Sequence, residues 1–465
     1  MALDHIIIGA GITGLVTAHS LKKSGQNILV LEANECAGGV IQTLDADGFL
    51  LERGPNSLRG THEFLDLIDE LDLHDQLVTA DPKAPAYVYF DQCLQPVPMN
   101  PLALIKTKLI TTAGKLRLLR EPFVAANKSN EEESLASFVE RRLGKEILER
   151  LVAPFVSGVY AGDPAKLSVQ ASFPKLAGFE ANAGSIFKGA IKSARSSKSA
   201  QPKRSLRPYR LCSFRNGMQT LTDALAKSLG DSLLTSARVI KASRFSNAKF
   251  QVSFKQNNET KIVETNSLIV TTPSFAAAQI ISEIAPDISS LLSEIPYTSL
   301  VTVPLAYRSE QISRALDGFG FLAPRGQGLR TLGSIWNTSL FENRAPEGWV
   351  LLNNFIGGET DRAAITLSDD ELISTVHCDL QKVLGISGEP KKMPITRWPR
   401  AIPQYNIGHA KRIATIENAL QNYQGLQLRG NYLHGVALGD CIKNTDVQST
   451  NFSLPTPRFA GVKGF

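Results

Sequence analysis

The chain is poor in the residues that build metal sites and disulfide frameworks. Its five cysteines, Cys36, Cys93, Cys212, Cys378 and Cys441, are scattered over 465 residues without a CxxC pair. That spacing argues against a zinc knuckle or a disulfide lattice and suits a reducing compartment. Seven histidines show no HExxH or similar ligand spacing, so no metal is expected. There is no GxSxG elbow and no evident carboxylate pair, and no catalytic acid, base or nucleophile is assigned. No apolar run reaches the roughly 18 residues of a membrane span. The remainder is ordinary for a globular chain, with 43% hydrophobic and 20% charged residues. The length suits two or three domains, and no repeat period is evident.

What is present is concentrated in residues 5–43. A short apolar run, 5–8, enters a glycine turn at Gly9, Gly11 and Gly14. An amphipathic stretch follows to Gly25, then a second apolar run, 27–31, ends in Glu32. This is the strand–turn–helix–strand of a dinucleotide fold. The glycines permit a tight turn, close approach to a pyrophosphate and close helix packing, and the acid would accept ribose hydroxyls. Free N–H groups and the positive end of the helix suit phosphate. Gly38 and Gly39 then form a second glycine turn six residues after the acid. An ordinary loop would explain the pair, but backbone wrapped around a larger ligand makes FAD the natural candidate. Because the fingerprint begins by residue 5, no targeting peptide is expected, and the expected location is cytoplasmic.

The net charge is +6 and unevenly placed, with nine Lys/Arg and no acid between Lys188 and Arg215. Nucleic acid is disfavoured because aromatic interleaving is sparse and no binding module is visible. A solvated loop accounts for the run, and so does a membrane surface. Residues 101–127 add leucine-rich faces to Lys106, Lys108, Lys115, Arg117 and Arg120, a pattern of peripheral membrane contact. A core-facing helix with a solvated basic side fits equally well.

Hydrophobic spacing predicts helices over 57–77, 134–152, 218–229 and 369–384. It predicts hairpins over 87–97, turning at Asp91 and Gln92, and over 250–265. Further strands are expected at 267–271, 300–307, 331–336, 349–355 and 426–429, and a mobile loop at 192–206. Residues 435–439 read as a turn and helix start.

Nine segments in order carry a specific resemblance: GAGITGL, AGGVIQT, LERGPNS (51–57), FVSGVYAGDP (155–164), SFRNGMQTL (213–221), GFGFLAP (318–324), NNFIGG (353–358), IPQYNIGH (402–409) and NYLHGVALGDCI (431–442). The chain resembles the oxygen-dependent, FAD-containing protoporphyrinogen oxidases of the amine-oxidase and phytoene-desaturase superfamily. The resemblance implies an α/β protein with a Rossmann-like FAD domain (1–82, 211–290 and 398–450). It adds a mixed-sheet substrate domain (83–100, 184–210 and 291–397) and a helical membrane-binding insertion (101–183). FAD would be held by Gly9, Gly11, Gly14, Glu32, Gly38, Gly39, Val40, Gly54, Pro55, Asn56, Ser57, Val239, Val436, Ala437 and Leu438. A porphyrinogen would be held by the positions of Ala86, Gly158, Phe319, Gly320, Leu322, Ile335 and Phe355, which on alternation alone read as sheet core. The implied chemistry is hydride transfer to flavin with O2 as final acceptor, in heme or chlorophyll biosynthesis. A homodimer is also implied.

The chain departs from that pattern twice. Ala86 stands where the family has an arginine for a substrate propionate, with Lys83 as a nearby substitute. The end of the chain, SLPTPRFAGVKGF, carries Pro455 and Pro457, which oppose the helix expected behind the flavin. The alternative is therefore a divergent paralogue that oxidises another cyclic or amine substrate.

Overall fold

The structure, a computed structural model, describes residues 3–127, 131–196, 210–246 and 249–445. Its first sheet grows from Leu3–Ile8, whose Ile6, Ile7 and Ile8 are buried. Stiff β-branched side chains buried on both faces are what a central parallel strand needs. Ile28–Leu31 and Glu259–Val270 flank it in parallel, and Leu233–Leu234 and Leu426–Leu428 extend the two sides. Helices Ile12–Lys23, His62–Glu70 and Gln219–Leu229 pack one apolar cluster. Ser274–Ile281, Pro286–Ser293 and His409–Leu420 pack a second. This is the expected Rossmann-like layer.

Glu259–Val270 is one strand rather than the two pieces expected at 261–265 and 267–271. Thr265 Oγ1 donates to the carbonyls of Leu3 and Asp4 and accepts from the N–H of Ser267, so the chain stays extended. Its first half pairs with Lys249–Gln256, giving the expected hairpin.

The second sheet is mixed and eight-stranded. From one edge it runs Cys93–Pro96, Ala86–Phe90, Gly320–Leu322, Gly333–Trp336, Trp349–Gly357 and Tyr297–Arg308. The hairpin turns at Asp91 and Gln92, both with positive φ (53° and 58°), a turn that matches strand twist. One face is sealed by helix Asp369–Leu384, which begins on a Ser368–Glu371 capping box and stops at the left-handed Gly385.

The third part is a helical cluster over residues 101–196. The stretch 101–127 is two short helices, Pro101–Lys106 and Thr112–Leu119, and a turn at Glu121–Phe123. The helix expected over 134–152 starts on Ser134 but breaks at Gly144, whose φ of 97° no helix accepts. A second run leads through Leu148–Val152 into helix Ala153–Tyr160. The helix expected over 57–77 shrinks to His62–Glu70, because Leu58–Arg59 is used as a strand and Thr61 caps the helix. Residues 192–196 lie in helix Ile186–Ser196 rather than in a loop. The rest of the basic stretch up to 209 lies outside the described residues. Ser185 Oγ and the N–H of Ile186 donate to Glu121, whose carboxylate also pairs with the buried Arg142. Residues 184–196 therefore belong with the helices, not with the substrate sheet.

Candidate active site

At the end of the first strand, Gly9 takes φ 103° and Gly11 caps helix Ile12–Lys23. A Cβ on Gly14 would overlap the carbonyl oxygen of Gly9 and lie 2.6 Å from Thr271 Oγ1. Its role is close packing of helix on strand. A Cβ on Gly11 would meet nothing within 4 Å. That glycine faces open space, beside the Ile12, Thr13 and Gly14 N–H groups that helix geometry leaves without intrahelical acceptors. Glu32 is buried; its carboxylate accepts from Ala10 N (2.7 Å) and from Asn34 N and Nδ2 (2.9 and 2.8 Å). Val239 follows two residues after Ala237, whose N–H donates to Glu32 O.

The second glycine turn lies on the first. Gly38 N donates to Ala10 O at 2.8 Å, and a Cβ on Gly39 would lie 3.2 Å from Gly11 Cα. Val40 and Gly54 are in backbone contact, leading on to Pro55, Asn56 and Ser57. From the far end of the chain, Val436, Ala437 and Leu438 arrive at the start of helix Leu438–Lys443. The expected loss of this helix does not occur as far as Lys443, and residues 446–465, with both prolines, lie outside the described residues. Gly439 sits against Thr61 and Arg59, and Cys441 hydrogen-bonds Thr13. Burial pushes the Cys441 thiol up to about 11, so it stays neutral. One backbone-lined cradle thus collects three separate stretches of chain. Its open first turn, buried acid and contiguous second turn fit FAD.

Strand pairing decides the second set of residues. Ala86, Gly320, Ile335 and Asn353 form one cross-sheet row, and Val88, Leu322, Gly333 and Phe355 form the next. Because side chains alternate along a strand, both rows share one face. The opposite face holds Tyr87, Phe321, Trp336, Leu352 and Ile356 in the sealed core. Leu322, Ile335 and Phe355, in contrast, are only half-buried. The sheet-core reading fits the buried Gly320, whereas Leu322, Ile335 and Phe355 stay partly open on this face. Phe319 adjoins it, donating its N–H to Pro85 O and accepting from Trp336 N. Gly158 on helix Ala153–Tyr160 closes over it, where a Cβ would stand 2.5 Å from Leu322 Cδ2. Ala86 brings no charge, and Lys83, three residues earlier, is exposed.

Sequence reasoning missed the seam between the two sites. Asn56 Oδ1 accepts from Asn337 Nδ2 (3.1 Å) and Asn353 Nδ2 (2.9 Å), all three residues being buried. Asn353 Nδ2 also donates to Glu52 O. The Oδ1 atoms of Asn337 and Asn353 have no hydrogen-bond partner among the described residues. Buried acceptors of that kind call for a donor from outside the protein. An asparagine inside an otherwise apolar strand was the available signal.

The profile of the family described as flavin containing amine oxidoreductase matches residues 12–444. The chain belongs to the flavin-containing amine oxidoreductase family. FAD is the cofactor of this flavoprotein. Chloroplastic protoporphyrinogen oxidase 1 of Arabidopsis thaliana is 36% identical over 97% of this chain and 88% of its own length. Coproporphyrinogen III oxidase of Bacillus subtilis (strain 168) is 32% identical over 94% of this chain and 95% of its own. A solved structure from Exiguobacterium sp. 255-15 superposes with TM-score 0.78 at 25% identity, covering 96% of this chain and 98% of that one. The flavin-dependent oxidoreductase fold thus extends through nearly the whole chain.

Proposed function

We propose that this flavoprotein oxidises protoporphyrinogen IX to protoporphyrin IX with O2 as electron acceptor. The observation that carries the reading is the half-buried apolar face of the second sheet, joined to the cofactor cradle through Asn56. A porphyrinogen is a broad apolar ring system with pyrrole N–H donors and anionic propionates. Leu322, Ile335, Phe319 and Phe355 offer it an apolar, partly aromatic bed. The unpaired carbonyls of Asn337 and Asn353 are acceptors of the kind that N–H groups satisfy. FAD, when bound in the cradle, would supply the hydride acceptor and the route by which electron pairs reach O2 to give hydrogen peroxide. The residues of the chain orient the ring and keep water from the face. Three two-electron oxidations take the porphyrinogen to the porphyrin.

The relatives include enzymes named for coproporphyrinogen III as well as protoporphyrinogen. Coproporphyrinogen carries four propionates, whereas protoporphyrinogen carries two. Neither row of the sheet face contains a cation, since Ala86, Gly320, Ile335, Asn353, Val88, Leu322, Gly333 and Phe355 are all neutral. The less charged substrate fits that face better. Incubating the FAD-loaded protein with each porphyrinogen under O2 tests this. Red porphyrin fluorescence and three peroxides per ring are expected, with higher kcat/KM for protoporphyrinogen. An FAD-loaded protein that forms no porphyrin would overturn the reading in favour of a paralogue with another cyclic or amine substrate.

We further propose that the helical cluster lies peripherally on an anionic membrane. Leu102, Ile105, Leu116, Leu119 and Phe123 are exposed, Phe123 to 86%. Phe187 and Ile191 add to them from helix Ile186–Ser196. Exposed Lys106, Lys108, Arg120, Lys188 and Arg195 accompany them. Apolar anchors beside cations are the composition of an interfacial surface. No described helix is long and apolar enough to cross a membrane. Co-sedimentation with phosphatidylserine vesicles should be lost on Leu119→Ser with Phe123→Ser; unchanged binding would place the contact elsewhere.

A further inference from the structure

The segment 402–409 was singled out by sequence, yet it lines neither the cradle nor the substrate face. Strand Thr396–Pro403 delivers two consecutive buried side chains, Gln404 and Tyr405, each 1% exposed. Gln404 Nε2 donates to the carbonyl oxygens of Tyr160 (2.9 Å) and Ile402 (3.1 Å). Two carbonyl acceptors fix which end of the amide is nitrogen. Tyr160 ends the helix that carries Gly158, and its ring lies edge-on to Tyr405. The Tyr405 hydroxyl donates to Asn431 O and accepts from Gly435 N at 2.8 Å. Gly435 directly precedes Val436, Ala437 and Leu438 of the cradle. The Tyr405 ring is stacked on His409, with centroids 4.1 Å apart and planes 11° from parallel.

The backbone of the pair is held as well. Gln404 N donates to Pro296 O, at the head of the strand Tyr297–Arg308. Ser168 N, from the helical cluster, donates to Tyr405 O. Four parts of the molecule therefore meet on two residues, whose side chains reach the substrate helix and the flavin loop respectively.

We propose that Gln404 and Tyr405 are positioning residues that hold the flavin loop and the substrate-covering helix at one fixed separation. The proposal rests on the function given above. Each fixes the backbone one or two residues from a position read above as lining the cofactor cradle or covering the substrate face, and hydride transfer is sensitive to misplacement by an ångström. The division of labour is specific. Tyr405 registers the cofactor, and Gln404 registers the substrate.

The test uses the FAD-loaded full chain. Tyr405→Phe removes the hydroxyl and keeps the ring on His409. It should alter the visible circular dichroism of the bound flavin and raise the FAD dissociation constant about tenfold, with KM within about twofold. Gln404→Met should leave the flavin dichroism as in the parent and raise KM about tenfold. Melting temperatures should fall by only about 2–4 °C in each. The proposal is overturned if the two variants move the same readouts in the same proportion, or if only the melting temperature moves. A parent protein that leaves porphyrinogen unoxidised overturns the proposed reaction and the Gln404 half with it. In that event the flavin dichroism of Tyr405→Phe still decides the Tyr405 half.

Discussion

Around residues 9–14 and 38–57 the chain presents largely backbone to the cradle read for FAD, whereas the second sheet offers a face of side chains. In the cradle, Gly14, Gly38 and Gly54 stand where a methyl group would strike main chain. On the sheet, Gly320 and Gly333 are held in the same way, but Leu322, Ile335 and Phe355 present a partly open surface of side chains. A backbone site is specified by what is missing at each position, so it is brittle to addition. A side-chain face is specified by size and polarity, so it should drift gradually when trimmed.

The sharpest way to break that contrast lies inside the cradle. Gly14→Ala puts a methyl on the carbonyl of Gly9 and should give insoluble protein or protein free of FAD. Gly11→Ala meets no protein atom within 4 Å. It should therefore fold with an unchanged melting temperature as apoprotein and still bind FAD at least tenfold more weakly, measured by flavin fluorescence. If both variants fail to fold alike, the separation of a packing glycine from a ligand glycine is wrong.

Glu52 lies on the seam between the two regions and should show the next largest effect. It is buried, accepts from Met218 N and Thr43 Oγ1, and is raised from 4.5 to about 7, chiefly by burial. The native state therefore holds a proton that the unfolded chain has released between pH 4.5 and 7. Stability should fall by about 3 kcal/mol as pH rises through that window and be level above it. In Glu52→Gln that slope should vanish in denaturant titrations at pH 5 and pH 8. A slope equal to the parent's would assign the pH dependence to other groups.

On the sheet face, Ala86→Arg supplies the missing cation in the row of Gly320. A charge-assisted hydrogen bond is worth about 1.5–3 kcal/mol, so KM for protoporphyrinogen should fall about tenfold or more. No change would mean that the propionates lie away from this strand. Phe355→Ala should do least to the fold, because its ring is half-buried, and should raise KM a few-fold with FAD retained. Loss of FAD from this variant would show that the two regions are not separable.

The cradle was legible in sequence because its requirements are local. Positive φ and close approach demand glycine at fixed spacing, and Gly9, Gly14, Gly38 and Gly39 meet those demands in the structure. The same holds for helix Asp369–Leu384, where Ser368, Glu371 and Gly385 mark both ends. Apolar spacing placed the helix Gln219–Leu229 to within a residue, but the helices predicted over 57–77 and 134–152 were too long, since the strand at Leu58 and Gly144 override the periodicity. The sheet face was only half legible. Alternation identifies two faces of a strand but not which one stays open, and here the packing of helix Asp369–Leu384 decides it. The asparagine seam showed in sequence only as an asparagine inside an apolar strand, because Asn56, Asn337 and Asn353 meet only through tertiary folding.

The cradle read here for FAD draws on residues 9–14, 38–57 and 436–438, so the ribosome makes its parts far apart in time. The glycine fingerprint is made well before the segment that closes on it. Completion of the cradle is thereby deferred until residue 438 has been added. A nascent or prematurely ended chain lacking Val436 would carry every residue of the fingerprint and still lack a complete FAD site. Loading of flavin is in this sense a report that translation has run through residue 438.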